Sequence, residues 1–150
     1  MPRVCVAASA GGHLSQALAV RAAYQDEPHF FVTTSETARG QLGSEHEVYV
    51  VAEANRSNPF RLLGVVLRAV RILRAEQPDV IISTGAAPAC LFCIIGKLLG
   101  AKVVWIDSLA NVERMSLSGR IIRRIADLQL VQWEHLVKQY RGVEYAGSVL

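Results

Sequence analysis

Ser9-Ala10-Gly11-Gly12-His13 follows directly on the apolar run Val4-Cys5-Val6-Ala7-Ala8. A short buried strand that ends in small residues and two glycines, then opens a helix at Leu14, is a way of building an anion site. Glycines let the backbone turn tightly and approach a ligand, and the first amides of the helix point at it with the positive end of the dipole. Ser9, Gly11 and Gly12 are therefore candidate phosphate contacts, with the imidazole of His13 at the rim. The plainer alternative is a glycine turn with a surface histidine. Ser83-Thr84-Gly85-Ala86-Ala87-Pro88 is a second small-residue loop that feeds a helix, and Pro88 suits a first helical position. Thr84 and Gly85 make a second candidate cradle beside the first. The long polar segment from Asp107 to Arg120 is of a length that compact domains keep for function or leave disordered. Its alternation of polar and apolar residues argues for order.

The elements that must position these loops are legible as alternating runs. Valine- and isoleucine-rich stretches at Arg3–Ala8, His29–Thr33, Glu47–Val51, Asp79–Ser83, Lys102–Asp107, Asp127–Gln132 and a short Val143–Ala146 read as strands. Helical patterns fall between them at Leu14–Gln25, Glu36–Gln41, Pro59–Gln77, Pro88–Leu99 and Ser118–Ala126. Near-continuous apolar strands alternating with helices predict a doubly wound, Rossmann-like parallel sheet covered on both faces, an α/β fold in a single domain spanning residues 1–150. The loops at the carboxyl ends of its strands, at 9–13, 33–35, 53–58, 84–88, 108–118 and 133–135, should hold the chemistry.

The pattern at Pro59–Gln77 is apolar nearly all round. At about 100° per residue, Leu62, Val65, Val66, Ala69, Val70, Ile72 and Leu73 form the face for the sheet. The opposite side mixes Arg61, Arg68, Arg71 and Arg74 with Phe60, Leu63 and Leu67, a combination that fits a headgroup-level membrane surface or a partner groove. An ordinary core helix with arginine stems over its edges is the alternative.

Composition bounds the rest. Of 150 residues, 51% are hydrophobic and 19% charged, which suits a well-packed globular domain. The longest uncharged apolar run, 86–96, contains Pro88 and stops at Lys97, short of the ~18–20 residues of a membrane span. Met1-Pro2-Arg3 enters a strand at once, so no cleavable signal is expected. Cys5, Cys90 and Cys93 all sit in apolar runs and cannot all pair, which points to a reducing, cytoplasmic compartment. Cys90 and Cys93 have metal-ligand spacing but no second ligand pair, so no metal site is expected. A net charge of +3 favours an anionic partner without naming it; nothing points to nucleic acid.

Ala10-Gly11-Gly12-His13-Leu14, Ser83-Thr84-Gly85, Arg114-Met115-Ser116-Leu117-Ser118-Gly119-Arg120, Ala126-Asp127 and Val131-Gln132-Trp133-Glu134 together resemble the asparagine-linked glycosylation protein 14 family and its bacterial exopolysaccharide counterparts of the PssD/CpsF type. The resemblance runs from the first strand to Gly147-Ser148. It implies the N-terminal, acceptor-binding domain of a GT-B glycosyltransferase split over two chains. A separate C-terminal-half subunit would bring most of the UDP-sugar site. The acceptor would be a polyprenyl-pyrophosphate-linked sugar at the inner face of the cytoplasmic membrane, with peripheral membrane contact through Phe60, Arg61, Leu63, Leu67, Arg68 and Arg71. UDP-sugar is then the donor substrate, and neither a cofactor nor a metal is required, because GT-B folds meet diphosphate charge with amides and side chains.

Inverting sugar transfer needs a base for the acceptor hydroxyl and donors for the diphosphate. His13 is the first candidate base, although as a cation it would instead bind pyrophosphate. Asp107 and Glu113 are alternatives, Asp107 also suiting a helix or loop cap. Arg114 would neutralise a phosphate or pair with Glu113, and Ser116 and Ser118 suit capping of the next helix. Two other readings stand beside this one. A non-catalytic membrane recruiter of a partner transferase would share every surface. A dinucleotide-binding oxidoreductase domain would need Gly-x-Gly-x-x-Gly and an acid ending the second strand; the chain has Gly11-Gly12 and Thr33-Thr34-Ser35, with Ser35 and Arg39 leaving a small opening for NADP.

Overall fold

Alternation along the first strand shows how two cores are filled from one sheet. Cys5 and Ala7 point into one buried cluster, while Val4, Val6 and Ala8 point into another. The computed structural model describes residues 1–54 and 57–149; Asn55 and Arg56 of the expected 53–58 loop, and Leu150, lie outside the described residues. Seven strands, β1 (Val4–Ala8), β2 (His29–Thr33), β3 (Val48–Val50), β4 (Val80–Gly85), β5 (Lys102–Ile106), β6 (Leu128–Val131) and β7 (Glu144–Tyr145), lie in the order β3-β2-β1-β4-β5-β6-β7. All six pairings are parallel. The expected doubly wound Rossmann-like sheet is the observed one.

On one face, α3 (Pro59–Glu76), α4 (Ala87–Leu98) and α5 (Leu117–Ile122) cover Cys5, Phe30, Ile81 and Trp105 with Val65, Ala69, Phe92, Cys93 and Ile122. On the other, α1 (Gly12–Ala19) and α2 (Glu36–Leu42) bring Leu14, Ala17, Ala38 and Leu42 onto Val6, Phe31 and Ile106. Burying a Phe side chain such as Phe30 or Phe92 stabilises the fold by about 1.5–3 kcal/mol. The three cysteines are free and buried, and burial pushes the Cys90 thiol up to about 11. No described helix is long and apolar enough to cross a membrane.

Several elements differ from expectation, among them the helix expected over Ser118–Ala126, which stops at Ile122. Helix α1 begins at Gly12 and stops at Ala19; Arg21–Ala23 form a 3-10 turn instead of continuing it to Gln25. Tyr24, fully buried, folds back to donate its hydroxyl to the Ala17 carbonyl at 2.9 Å, which a continuing helix would prevent. Strand β4 runs on to Gly85, two residues past the expected end. A short helix α6 (Leu136–Gln139) follows β6, where only a loop was expected.

Candidate functional site

In this strand order the chain turns from β1 outward to β2 and, on the other side, to β4. The crevice between the carboxyl ends of β1 and β4 is the topological switch point, where open α/β sheets bind ligands. Both glycine loops end there. A pocket of about 290 Å³ opens between them, lined by His13, Thr84, Gly85, Asp107, Ser108, Asn111 and Ser116 among others.

His13 stands in the first turn of α1, two residues past Gly11, whose φ of 87° places it where glycine is favoured. Its Nδ1 lies 3.0 Å from the Thr84 carbonyl oxygen. A carbonyl only accepts, so Nδ1 carries the proton and the Nε2 of a neutral ring is left as an acceptor. Thr84 Oγ1 donates in return to the His13 carbonyl. The register between β1 and β4 explains this reach. Ala7 pairs with Ser83 and Ala8 with Gly85, so Thr84 is an extra, bulged residue re-aimed at the α1 terminus. Gly85 has φ 132°, and a Cβ there would stand 2.7 Å from His13 Cε1 and Nδ1. The imidazole therefore rests on bare backbone that only glycine supplies.

The Leu14 amide donates to the Ser9 carbonyl (3.1 Å) and the Ala10 amide to Thr34 Oγ1 (3.0 Å). The Gly11, Gly12 and His13 amides between them have no hydrogen-bond partner among the described residues. A Cβ on Gly12 would meet nothing within 4 Å. Three free N–H groups at a helix start beside open space are the donors that binding of an anion would require.

The expected residues divide at this point. His13, Gly11, Gly12, Thr84 and Gly85 come together. Ser9 contributes its carbonyl, but its buried hydroxyl has no hydrogen-bond partner among the described residues and faces a small cavity under Pro88. Asp107 lines the pocket, yet its carboxylate is spent on structure. It accepts from Trp105 Nε1 at 3.0 Å, Ser116 Oγ at 2.6 Å and the Ser116 amide at 2.9 Å, with 2% of the residue exposed. This is the cap alternative for Asp107, since three donors leave it poorly placed as a base. Ser116 in turn caps α5, its Oγ accepting from the Gly119 amide at 2.9 Å; Ser118 does not. Glu113 and Arg114 are exposed and do not line the pocket, and of the two alternatives for Arg114 the pairing with Glu113 is not formed.

Sequence reasoning missed the residues that hold the loop after Asp107. Gln16, one turn along α1 from His13, accepts from the Leu109 amide at 3.0 Å and from Gln132 Nε2 at 2.6 Å, and donates to Ser108 Oγ at 3.3 Å. Gln132 also donates to the Asp107 carbonyl at 3.0 Å, and Trp133 Nε1 to the Leu109 carbonyl at 2.8 Å. The signal for Gln16 was its i+3 spacing from His13. Ser35 and Arg39, the NADP opening, are engaged elsewhere: Ser35 caps α2, and Arg39 pairs with Glu36 at 3.2 Å and donates to the Val48 carbonyl. Away from the pocket, the expected outer side of α3 is outward: Phe60, Leu63 and Leu67 are 84%, 56% and 60% exposed, and Arg61, Arg68 and Arg71 are exposed with them.

This architecture, with its candidate crevice at the switch point, is a doubly wound Rossmann-like fold shared with solved structures. MurG from Acinetobacter baumannii superposes with a TM-score of 0.78 over 99% of this chain and 46% of that one, at 18% identity. UDP-N-acetylglucosamine 2-epimerase from Rickettsia bellii does so with a TM-score of 0.71 over 99% and 45%, at 17% identity. At such identities the likeness is one of fold. The family is given by sequence: the profile described as "Oligosaccharide biosynthesis protein Alg14 like" matches residues 47–149, and the chain belongs to that family. The UDP-N-acetylglucosamine transferase subunit alg14 of Schizosaccharomyces pombe is 40% identical over 101 residues, covering 62% of this chain and 48% of its own length. That of Candida albicans is 36% identical over 100 residues, covering 63% and 45%. That of Rattus norvegicus is 26% identical over 97% of this chain and 82% of its own. The chain thus spans about half the length of the two yeast relatives it matches.

Proposed function

We propose that this chain is the acceptor-binding, membrane-associating subunit of a two-component UDP-sugar glycosyltransferase, of the bacterial PssD/CpsF kind, acting on a polyprenyl-pyrophosphate-linked sugar. The observation that carries the reading is the orientation of His13, with Nδ1 held by the Thr84 carbonyl and the ring seated on Gly85 beside three free amides. The relatives' name, UDP-N-acetylglucosamine transferase subunit, supplies the reaction class.

In this reading the Gly11, Gly12 and His13 amides take the acceptor's diphosphate. His13 Nε2 removes the proton of the acceptor hydroxyl as its oxygen attacks the anomeric carbon of the donor, and UDP departs with the electron pair of the broken bond. Asp107 acts on this step only by holding the loop and α5. The single domain 1–150 forms one wall of the cleft, and a second subunit of C-terminal GT-B type closes it and binds the UDP-sugar. Arg61, Arg68 and Arg71 with Phe60, Leu63 and Leu67 rest on the inner face of the cytoplasmic membrane, each arginine near anionic lipid contributing about 1 kcal/mol.

Reconstitution tests this. The chain alone should be inactive, and addition of the partner should start UDP-sugar transfer to a polyprenyl-pyrophosphate acceptor. His13→Ala should then slow turnover by about 10²-fold or more. Robust transfer by the purified chain alone would overturn the split-enzyme reading, and a near-normal rate for His13→Ala in the pair would leave a recruiter.

A further inference from the structure

Between α3 and the edge of the sheet lies a groove of about 570 Å³, lined by Tyr49 on β3 and by Gly64, Leu67, Arg68, Arg71 and Ile72 on α3. Positions 64, 67, 68 and 71 fall on one stripe of a helix. Gly64 is the feature that keeps the groove open. A glycine inside a helix weakens it, and this one is exposed, with nothing within 4 Å of where a Cβ would stand. Any larger residue would fill the space the groove occupies.

The groove's charge has one sign. Arg68 and Arg71 are exposed and form no ion pair or hydrogen bond among the described residues. From Pro59 to Ala75, α3 carries no acidic residue. The carboxylates that contact Tyr49 do not line the groove and are engaged beyond it: Glu76 and Glu47 both bind Arg3, and both accept from the Tyr49 hydroxyl. At the lip, Leu67 joins the groove to the exposed apolar surface of Leu63 and Phe60. Two unmatched guanidiniums in a concavity, with an apolar lip beside them, match a phosphate ester that carries a hydrocarbon chain.

We propose that this groove is a seat for the phosphodiester headgroup of an anionic phospholipid, its acyl chain leaving over Leu67. The proposal rests on the membrane reading of α3 and adds to it a discrete site, where diffuse attraction would need only surface charge. Gly64→Leu separates the two, because it fills the groove, keeps every arginine and replaces glycine with a strong helix former.

The experiment compares wild type, Gly64→Leu and the double variant Arg68→Gln/Arg71→Gln, each checked for unchanged melting. Each is titrated by amide NMR with short-chain phosphatidylglycerol below its micellar concentration and with inorganic phosphate, and sedimented with phosphatidylglycerol or phosphatidylcholine vesicles. Wild type should bind the short-chain lipid saturably, with shifts centred on residues 64–71, and phosphate at least tenfold more weakly. Both variants should lose lipid affinity by tenfold or more. If Gly64→Leu binds lipid and vesicles as wild type does while the arginine variant does not, the seat is overturned and the diffuse contact of α3 stands. Phosphate binding as tight as lipid binding would make this a free-anion site and overturn the lipid assignment. Wild type that binds neither vesicle would overturn both this proposal and the membrane reading.

Discussion

Gly85→Ala tests the central geometry without removing any group that could do chemistry. The added methyl would stand 2.7 Å from His13 Cε1 and Nδ1, against the 3.4 Å at which ordinary contact begins, so the ring must retreat by roughly 0.7 Å. Retreat of that size stretches the 3.0 Å bond between Nδ1 and the Thr84 carbonyl beyond hydrogen-bonding range. Loss of the bond costs about 0.5–1.5 kcal/mol, and a non-glycine residue at φ 132° adds about 1–3 kcal/mol of strain. In a chain of this size these amount to a fall in melting temperature of roughly 3–18 °C. Activity should fall further than stability implies, because misplacing a reacting group by about 1 Å can cost 10²-fold. The assay is transfer by the reconstituted pair at a temperature where both proteins are folded, with the imidazole nitrogens followed by NMR. Full activity in a folded Gly85→Ala protein would refute the view that His13 works from its seat on this backbone.

Gly12→Val should leave melting nearly unchanged, since a Cβ there would meet nothing within 4 Å, yet it should abolish acceptor turnover by blocking the amides; a competent Gly12→Val enzyme would remove phosphate from that loop. Gln16→Met should free the Leu109 amide and unsatisfy Gln132, costing about 1–3 kcal/mol and raising hydrogen exchange at Leu109, whereas Gln16→Glu should restore protection of that amide. The Lys97 ammonium, then the Val103 amide, hold the Asp127 carboxyl below the usual carboxylate range. A depressed folded pKa gives stability that is complete above the unfolded value of about 3.9 and lost as pH falls through the folded one. Asp127→Asn should therefore flatten the acid limb of a denaturation series, and an unchanged limb would show that this pair carries none of it.

The sheet was readable because its strands announce themselves. Val4 to Ala8, buried on both faces, or Val103 to Ile106, buried apart from half-buried Val104, can hardly be anything else in a chain that alternates with helices. Both glycine loops were readable for the same reason, each being punctuation between a strand and a helix. What escaped were features set by partners distant in sequence. Nothing near residue 84 signals the bulge, because it exists only in the register with β1. Asp107 reads as a base or a cap until Trp105 and Ser116 are seen converging on it. Gln16 and Gln132 lie 116 positions apart, and neither glutamine is informative without the other. The end of α1 was missed because a buried Tyr24 overrode a helical pattern through tertiary packing.

The place of β1 in the sheet also has a consequence for synthesis. Of the seven strands, the earliest in chain order is an interior one, with β2 on one side and β4 on the other, and its register with β4 joins Val4 to Val80. Until the chain has grown through Gly85, one full edge of β1 has no neighbour and His13 has no Thr84 on which to orient. Contacts of that separation close late, and unpaired apolar strands are the segments that aggregate or recruit chaperones meanwhile. Orientation of the imidazole is thus a late event in the life of the nascent chain. A ribosome-bound intermediate stalled before residue 80 should already have paired β1 with β2 while leaving the pocket unbuilt.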